Sequence, residues 1–470
     1  MYKIPAEYFF RIHHVRPRFK NNIESVLIFM AEEIKRIGKL SCDDFKNKMR
    51  QSIKNYPGNI TKKIKTIDNW RTEISILFGF YIEDKTNNIT KPGQRAKDLS
   101  NNQDLVQFFK LFLYYFQYPG GHIKPHEVLK QIEVGIRFKP AAKILEVLKI
   151  ASKISGKKVG INKAEATHII FNDLRVTSEL ETSEKTAKRL LESKAQNYKY
   201  DWTGDVIRYA GDILDYMELA NLIKSYNSLF YLNSLENTSI ELFINSNTWF
   251  SDYDEMINKR SGDLETIKSC RLQWFEYVNT KTSDDFFMTD VFALLSDDIE
   301  EYDKLRSSYK QIYDLLDSGF IRTKEIGDLG EGLAYGHECK RIKLSGKEDL
   351  IRLIKLIPTA LAVGYDLQSI EVDGTKRYIE VKTTVSSKNL SFFRFHLTAN
   401  EWNTAKSLSD RYYVYRIYLS KKAKKLFILK NPESLYKKDK IDMTLNKLLG
   451  VEIAFNPEKS GMYEELLTWD

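Results

Sequence analysis

GYDLQSIEVDGTKRYIEVKTT, residues 364–384, predicts a β-hairpin that carries polar side chains on one face. Residues two apart on a strand point to the same side, so Glu380 and Lys382 project together. A two-residue turn would set Asp366 opposite Val381, on the wrong face. A three-residue loop that contains glycine is the common alternative, and it sets Asp366 opposite Glu380 or Lys382. We therefore predict the three-residue loop.

The acidic pair on this hairpin suits a divalent cation. Asp366 and Glu380 supply the carboxylate oxygens that a hard cation such as Mg²⁺ prefers, and the peptide carbonyl of Val381 is a predicted third ligand. Lys382 is expected to orient or activate the attacking water and to stabilise charge on the phosphorane. The pattern thus predicts metal-dependent hydrolysis of phosphodiesters. The alternative is a solvated ion pair, the usual role of Glu-x-Lys on a strand.

Two upstream glutamates are further catalytic candidates. Glu331 and Glu338 are seven residues apart, which places them within about 20° of each other on a helix of 3.6 residues per turn. We expect Glu331, and secondarily Glu338, to reach the metal. The alternative is a helix face that points to solvent.

Five motifs in order resemble a known family. They are Gly-Glu (330–331), Gly-Tyr-Asp (364–366), Tyr-Ile-Glu-Val-Lys-Thr-Thr (378–384), Phe-x-Leu-Thr-x-Asn-Glu (395–401) and Tyr-x-x-Tyr-Arg-Ile-Tyr (412–418). Over about residues 321–432 the chain resembles the NO VEIN C-terminal-type domain of the PD-(D/E)xK, or restriction-endonuclease-like, superfamily. The resemblance implies an α/β domain with an αβββαβ core, Mg²⁺ dependence, and catalytic roles for Asp366, Glu380 and Lys382. Tyr365 stands where the superfamily label has proline.

The residues after the hairpin predict the same element order. Leu390–Leu397 is a predicted third strand, and further strands are predicted at 411–419 and 425–430. Thr398 and Glu401 match a capping box that opens a helix, so Glu401 is interpreted as a cap rather than a catalytic group. His396 is interpreted as structural.

Cysteine usage and hydropathy restrict the compartment. Cys42, Cys270 and Cys339 are far apart and match neither a zinc site nor a disulfide framework, which indicates a reducing cytoplasm. Leu105–Tyr118 is the most apolar run, but Lys110 interrupts it and it is too short to span a bilayer. No membrane association is predicted.

The net charge points to nucleic acid. The chain of 470 residues has a formal net charge of +9, and residues 1–100 carry 20 Lys and Arg against 11 Asp and Glu. The whole excess therefore lies at one end. A basic N-terminal part beside a phosphodiesterase-like C-terminal part is typical of a protein that acts on nucleic acid.

Residues 23–99 predict a winged helix. Helices are expected at 22–37, 40–53 (capped by Ser41) and 61–78, followed by a hairpin over 80–91. This layout inserts its third helix into the major groove. The expected phosphate contacts are Lys62, Lys63 and Lys65, the expected base readers are Asn69, Arg71 and Thr72, and the hairpin adds Lys91. The alternative is that these helical lysines are merely solvated.

A second winged-helix unit is predicted at 140–250, with Phe230–Leu232 and Ile240–Ile244 as its wing. The predicted domains are two winged-helix recognition domains (1–120 and 121–250), a helical linker (251–320) and the nuclease domain (321–470). The mainly α-helical N-terminal half resembles the recognition portion of type IIS restriction endonucleases.

These patterns predict a sequence-specific, Mg²⁺-dependent DNA endonuclease of type IIS, which cuts outside its recognition site. Double-stranded DNA is the expected substrate, in the cytoplasm of a prokaryote. A transient homodimer is expected for double-strand cleavage, because each chain has one candidate site. A restriction system also implies a cognate methyltransferase. The alternatives are a modification-dependent defence nuclease and a DNA-binding regulator with an inactive nuclease fold.

Overall fold

The structure is a computed structural model. It describes residues 1–17, 19, 22–56, 58–203, 206–283, 286–314, 326–358, 361–387, 390, 393–421, 423–446, 450–457 and 463–465. The chain divides into two units. The first comprises Met1–Asn101 and Val106–Phe287, and the second comprises Asn102–Leu105 and Met288–Asp470. Among the described residues, no helix is long and apolar enough to cross a bilayer.

The first unit is largely helical. Its helices are α1 Ile23–Ile37, α2 Cys42–Asn55, α3 Ile64–Thr72, α4 Gln94–Asn102, α5 Leu105–Tyr115, α6 Pro125–Glu133, α7 Pro140–Ser155, α8 Lys163–Glu165, α9 Leu174–Thr177, α10 Ser183–Ala195, α11 Val206–Leu219, α12 Asn237–Ile244, α13 Asp254–Lys259, α14 Leu264–Ser269 and α15 Arg271–Val278. Its strands are β1 Leu40–Ser41, β2 Tyr81–Asp84, β3 Ile89–Pro92, β4 Ile223–Tyr226 and β5 Leu229–Leu232.

The first hundred residues have the predicted order of three helices and a hairpin. The apolar stripe of α1 is buried, and Ser41 caps α2 by accepting a hydrogen bond from the backbone N–H of Asp44. The third helix is shorter than predicted, because a π-helical turn, Glu73–Leu77, follows α3. Sequence patterns missed β1, which pairs with β3 in a sheet of order β1-β3-β2.

The second predicted wing is wrong in its second strand. The hairpin is formed by β4 and β5, one element earlier, and Asn227 and Ser228 make its two-residue turn with positive φ at both positions. Two successive positive φ angles match the turn type that suits the twist of paired strands. Residues 240–244, predicted as a strand, lie in α12, where Ile240 and Phe243 are buried at helical spacing.

Part of the predicted linker is packed core. Tyr253, Ile267, Trp274 and Phe275 are buried in one hydrophobic cluster of the first unit with partners such as Ile132. Residues 251–287 are therefore integral to that unit, whereas residues 315–320 of the predicted linker lie outside the described residues.

A buried histidine makes the first unit sensitive to acid. Both ring nitrogens of His122 lack a hydrogen-bond partner among the described residues, and its ring centroid lies 4.4 Å from that of Phe116 and 5.8 Å from that of Trp274. Burial, followed by the charge of nearby His14, holds the pKa of His122 well below its ordinary value. The folded protein therefore keeps this ring neutral, while the unfolded chain takes up a proton below about pH 6.5.

We expect the free energy of unfolding to fall as the pH falls below about 6.5, and His122 alone should contribute up to about 1.4 kcal/mol per pH unit to this decrease. The His122→Phe variant should lack this part of the pH dependence, because phenylalanine does not titrate. Urea unfolding of both proteins between about pH 5 and pH 8 measures the difference. The same pH dependence in both proteins would contradict the prediction.

The second unit is an α/β structure. Its helices are α16 Val291–Leu295, α17 Ile299–Asp314, α18 Ile326–Leu344, α19 Ala399–Leu408 and α20 Pro432–Lys437. Its strands are β6 Lys355–Leu356, β7 Leu367–Ile370, β8 Lys376–Val385, β9 Phe393–Leu397, β10 Tyr412–Ser420, β11 Ala423–Lys430, β12 Asp442–Asn446, β13 Gly450–Phe455 and β14 Tyr463–Glu465. A six-stranded sheet has the order β14-β11-β10-β8-β7-β6, and β12-β13-β9 form a second sheet.

The predicted third strand is present but lies outside the central sheet. β8 pairs in parallel with β10 from Tyr378 to Val385, so that edge of β8 is already occupied. β9 pairs instead with β13, where Phe393 opposes Phe455. Residues 391 and 392, in the first part of the predicted strand, lie outside the described residues.

Helix α18 approaches β8 closely at Gly330. A Cβ atom built on Gly330 would overlap the side-chain oxygen of Thr383 and lie 3.0 Å from its Cβ. Gly330→Ala should therefore destabilise the protein by about 1–3 kcal/mol through overpacking. Gly327 in the same helix has nothing within 4 Å of such an atom. Gly327→Ala is the matched control and should change stability by no more than about 0.5 kcal/mol. Equal unfolding midpoints for the two variants would contradict this packing.

Candidate functional site

The hairpin has the predicted loop and register. Leu367 pairs with Ile379, so Asp366 falls opposite Glu380 on the adjoining strand. The backbone N–H of Asp366 donates to the carbonyl of Ile379 at 2.9 Å. Three residues form the loop, and Gly374 takes a φ of 91°, a conformation that glycine adopts without strain. The predicted three-residue loop is confirmed.

This register brings three candidate residues together. One carboxylate oxygen of Asp366 accepts a hydrogen bond from the backbone N–H of Val381 at 2.8 Å. Glu380 Oε1 lies 2.6 Å from Lys382 Nζ, so both side chains project from the same face of β8. The Glu380 side chain is only 4% exposed and that of Lys382 is 25% exposed. The ion pair is therefore largely withdrawn from water.

The charges in this site are unbalanced. Burial raises the pKa of Asp366 and raises that of Glu380 well above its ordinary value; the neighbouring carboxyls add to the effect on Glu380, while Lys382 opposes it. Burial alone would lower the pKa of Lys382, but Glu380 and Glu401 outweigh it and raise that pKa. A cluster with more carboxyls than cations favours a proton or another positive charge.

Glu331 faces the same cluster. Burial, followed by the charges of Asp366 and Asp328, raises the pKa of Glu331 to about 8. The close approach of α18 at Gly330 puts Glu331 within electrostatic range of Asp366 and Lys382. The structure thus brings Glu331 toward the predicted site.

Glu338 lies elsewhere. Its fully buried carboxylate is bound by Arg341, Arg377, Ser369 and the Tyr415 hydroxyl. Seven residues keep two glutamates on one helix face but separate them by about 10 Å along the axis, so they meet different neighbours. Burial opposes ionisation of Glu338, yet its arginine partners outweigh that effect and lower its pKa. We therefore leave Glu338 out of the proposed site.

Sequence reasoning undervalued Glu401 and Tyr412. Glu401 forms the predicted capping box with Thr398, and it also lies 3.2 Å from Lys382 Nζ. The Tyr412 hydroxyl donates to the carbonyl of Gly364 at 3.0 Å, beside Asp366. The local sequence predicts the contact of Glu401 with Thr398 in the capping box. The contact of Glu401 with Lys382 depends on how α19 packs against the rest of the unit, which the local sequence does not reveal. His396 pairs with Glu452 through its Nδ1 at 2.9 Å, in agreement with a structural role.

Oxygen donors at this site suit a hard cation. Asp366 and Glu380 offer carboxylates, whereas the peptide carbonyl of Val381 stays a predicted ligand. Among the described residues, there is no group of three or more His, Cys, Asp or Glu side chains that could bind one metal ion together. Two carboxylates with water completing the shell are a donor set of the kind that Mg²⁺ accepts, and the binding of a metal here stays a prediction.

The candidate DNA contacts of the first unit lie on α3, on the residues before it and on β3. The exposed ones are Lys62, Lys63, Lys65, Thr72 and Lys91. Asn69 and Arg71 are half-buried. Sequence reasoning missed Asp68 on α3, which accepts two hydrogen bonds from Arg50 at 2.7 and 2.8 Å. Contact of these side chains with DNA stays a prediction.

A family model described as restriction endonuclease BpuJI, N terminal, matches residues 2–275, more than half of the chain. The chain belongs to this family. A second family model, protein NO VEIN, C-terminal, matches residues 330–429 and confirms the resemblance seen in the motifs. No curated protein matches the chain.

A solved structure has a fold similar to that of part of this chain. It is a crystal structure of pyrene- and phenanthrene-modified DNA in complex with the BpuJ1 endonuclease binding domain. The two chains are 23% identical with a TM-score of 0.51, over 59% of this chain and 100% of that chain. Together with the two family matches, this makes the chain a restriction-endonuclease-like protein.

Proposed function

We propose that this protein is a Mg²⁺-dependent DNA endonuclease of restriction type. Its second unit would be a PD-(D/E)xK nuclease, and its first unit would recognise DNA through winged-helix modules. The convergence of Asp366, Glu380 and Lys382 on one hairpin carries the proposal.

Each residue of the site has a role in the proposed reaction. Asp366, Glu380 and the carbonyl of Val381 would hold Mg²⁺, which when bound polarises the scissile phosphate and acidifies water. Lys382 would orient the attacking water and stabilise the negative charge that develops on the oxygens of the phosphorane. Glu401, 3.2 Å from Lys382 Nζ, is a second carboxylate that holds the ammonium group beside Glu380.

Glu331 would complete the site from α18. Its raised pKa, about 8, means that this carboxyl keeps a proton near neutral pH. A bound cation would release that proton, because a nearby positive charge favours the ionised form. Glu331 would then be a further carboxylate available to the metal site.

Support for DNA as substrate comes from the first unit. The related solved chain is in complex with DNA, and this unit carries the basic excess of residues 1–100. The order of α1, α2, α3 and the β2–β3 hairpin is consistent with a winged helix, in which the third helix would enter the major groove. Lysines beside α3 would then meet phosphates, and Asn69 and Thr72 would reach base edges.

Separate recognition and cleavage units imply cutting outside the recognition site, as in type IIS enzymes. One site per chain implies that a transient homodimer or two successive nicks cut both strands. A cognate methyltransferase would protect the host DNA in the cytoplasm of a prokaryote.

The cut offset tests the type IIS proposal. Unmodified phage DNA is incubated with the protein and Mg²⁺, and the ends are sequenced. Ends at a fixed distance from a short asymmetric motif are the expected result. Ends that appear only after the DNA is methylated would identify a modification-dependent nuclease, and binding without ends would identify a DNA-binding regulator. Either would overturn the proposal.

A further inference from the structure

A polar cleft lies in the first unit, next to α3 and the β2–β3 hairpin. Its volume is about 530 Å³. The charged side chains that line it are Lys46, Arg71, Lys85, Arg271, Asp43 and Glu83. Four basic and two acidic groups leave a formal charge of +2. The cleft therefore favours an anion.

Two guanidinium groups of this cleft lack part of their hydrogen bonding. The Nε atoms of Arg71 and Arg271 are buried and have no hydrogen-bond partner among the described residues. Asp68 Oδ1 is 3.7 Å from Arg71 Nε, too far for a hydrogen bond. Arg271 lies 5.6 Å from the ring centroid of Phe275, a contact that fixes its position without using its donors. Because these Nε atoms are buried, a ligand in the cleft would be held by the remaining donors of the two guanidinium groups, which line it.

The chemistry of the lining distinguishes between ligands. A flipped base requires aromatic rings for stacking, and the residues that line the cleft in the described part of the chain include none. Guanidinium groups have the planar donor geometry that matches phosphate oxygens. A phosphate is therefore a better fit than a nucleobase.

We propose that this cleft binds a phosphate group of the DNA backbone, with Arg71 and Arg271 as its donors. The proposal rests on the proposed function, in which the first unit binds double-stranded DNA. It changes the expected role of Arg71 from base reading to phosphate contact. It also gives a role to Arg271, which is 200 residues away in sequence and which no sequence pattern indicated.

The salt dependence of binding tests this site without knowledge of the recognition sequence. Affinity for a double-stranded oligonucleotide is measured by fluorescence anisotropy in EDTA, so that cleavage does not interfere. Arg271→Gln should make the slope of log K against log salt shallower by about 0.9, the value for one lost phosphate contact. Between about 50 and 200 mM salt, its loss of affinity should be about threefold smaller than that of the wild type.

Lys268→Gln is the matched control. Lys268 is an exposed cation of α14 that pairs with Glu265 at 2.7 Å and does not line the cleft, so its loss should leave the slope unchanged. Lys85 is an exposed cation that also lines the cleft. Lys85→Gln is therefore a second cleft variant, which should fold normally and should make the slope shallower as Arg271→Gln does.

Wild-type slopes in both cleft variants would overturn the phosphate site and leave DNA binding intact. Stabilisation of the wild type, but not of Arg271→Gln, by inorganic phosphate, with equal DNA slopes, would identify a site for free phosphate and likewise overturn the DNA assignment. Absence of any DNA binding by the wild type would overturn the proposed function as well.

Discussion

Glu380→Gln is expected to slow DNA cleavage by about 10³-fold or more. Glutamine has the shape of glutamate but supplies no anionic oxygen, so the proposed metal loses one of its two carboxylates from the hairpin. Losing metal stabilisation of a transition state costs several kcal/mol, and about 4 kcal/mol corresponds to a factor of 10³. Single-turnover cleavage of a duplex in Mg²⁺ measures the effect.

The same variant should become more stable without metal. Burial and the neighbouring carboxyls raise the pKa of Glu380, so the folded state favours the protonated form while the unfolded chain ionises above about pH 4.5. The contribution of Glu380 to the free energy of unfolding of the wild type therefore falls as the pH rises above about 4.5. Glutamine removes the penalty, and Lys382 keeps Glu401 as its partner at 3.2 Å. The variant should therefore gain stability relative to the wild type as the pH rises.

Mg²⁺ provides a readout that does not depend on activity. Mg²⁺ should raise the melting temperature of the wild type, because a ligand that binds only the folded state stabilises it. Glu380→Gln should respond far less at the same concentration. Equal stabilisation of both proteins by Mg²⁺, or an unchanged cleavage rate, would contradict the assignment of Glu380.

Lys382→Met should lose cleavage to a similar extent, about 10³-fold, and should also destabilise the protein. Lys382 Nζ contacts both Glu380 and Glu401, so methionine leaves two largely buried carboxyls without their cation. Removing one partner of a buried ion pair costs about 3 kcal/mol or more. The cost should increase with pH, because protonation relieves the carboxyls in acid.

Lys406→Met in α19 is the matched control for this variant. Lys406 is exposed, so its loss should change stability by no more than about 0.5 kcal/mol and leave cleavage intact. Urea unfolding at about pH 5 and pH 8 separates the two variants. A Lys382→Met protein that cleaves DNA at the wild-type rate would exclude Lys382 from the reaction.

The fold of the hairpin that carries the candidate site was predictable because its determinants are local. Strand alternation and a glycine loop determine which side chains oppose each other, and both lie within residues 364–384. The caps at Ser41 and Thr398 were predictable for the same reason, since a helix N-terminus is satisfied by its own first turn.

Contacts between distant residues were not predictable in this way. Glu338 forms its ion pairs with arginines that the helix meets only after packing against the sheet. The departure of β9 from the central sheet depends on β10 occupying the edge of β8. Arg271 joins the cleft of the first unit from a helix 200 residues beyond Arg71. In each case tertiary packing determines which residue or strand becomes the partner. The local sequence pattern is compatible with several different partners.

The proposed nuclease site is tested most directly by measuring DNA cleavage and DNA binding in one experiment. Wild type and Asp366→Asn are incubated with the same unmodified DNA, with Mg²⁺ or with EDTA, and binding is followed alongside strand breakage. Breakage is expected only for the wild type with Mg²⁺, and both proteins are expected to bind DNA equally. Breakage by Asp366→Asn at the wild-type rate, or absence of breakage by the wild type on every DNA tested, would contradict the proposal.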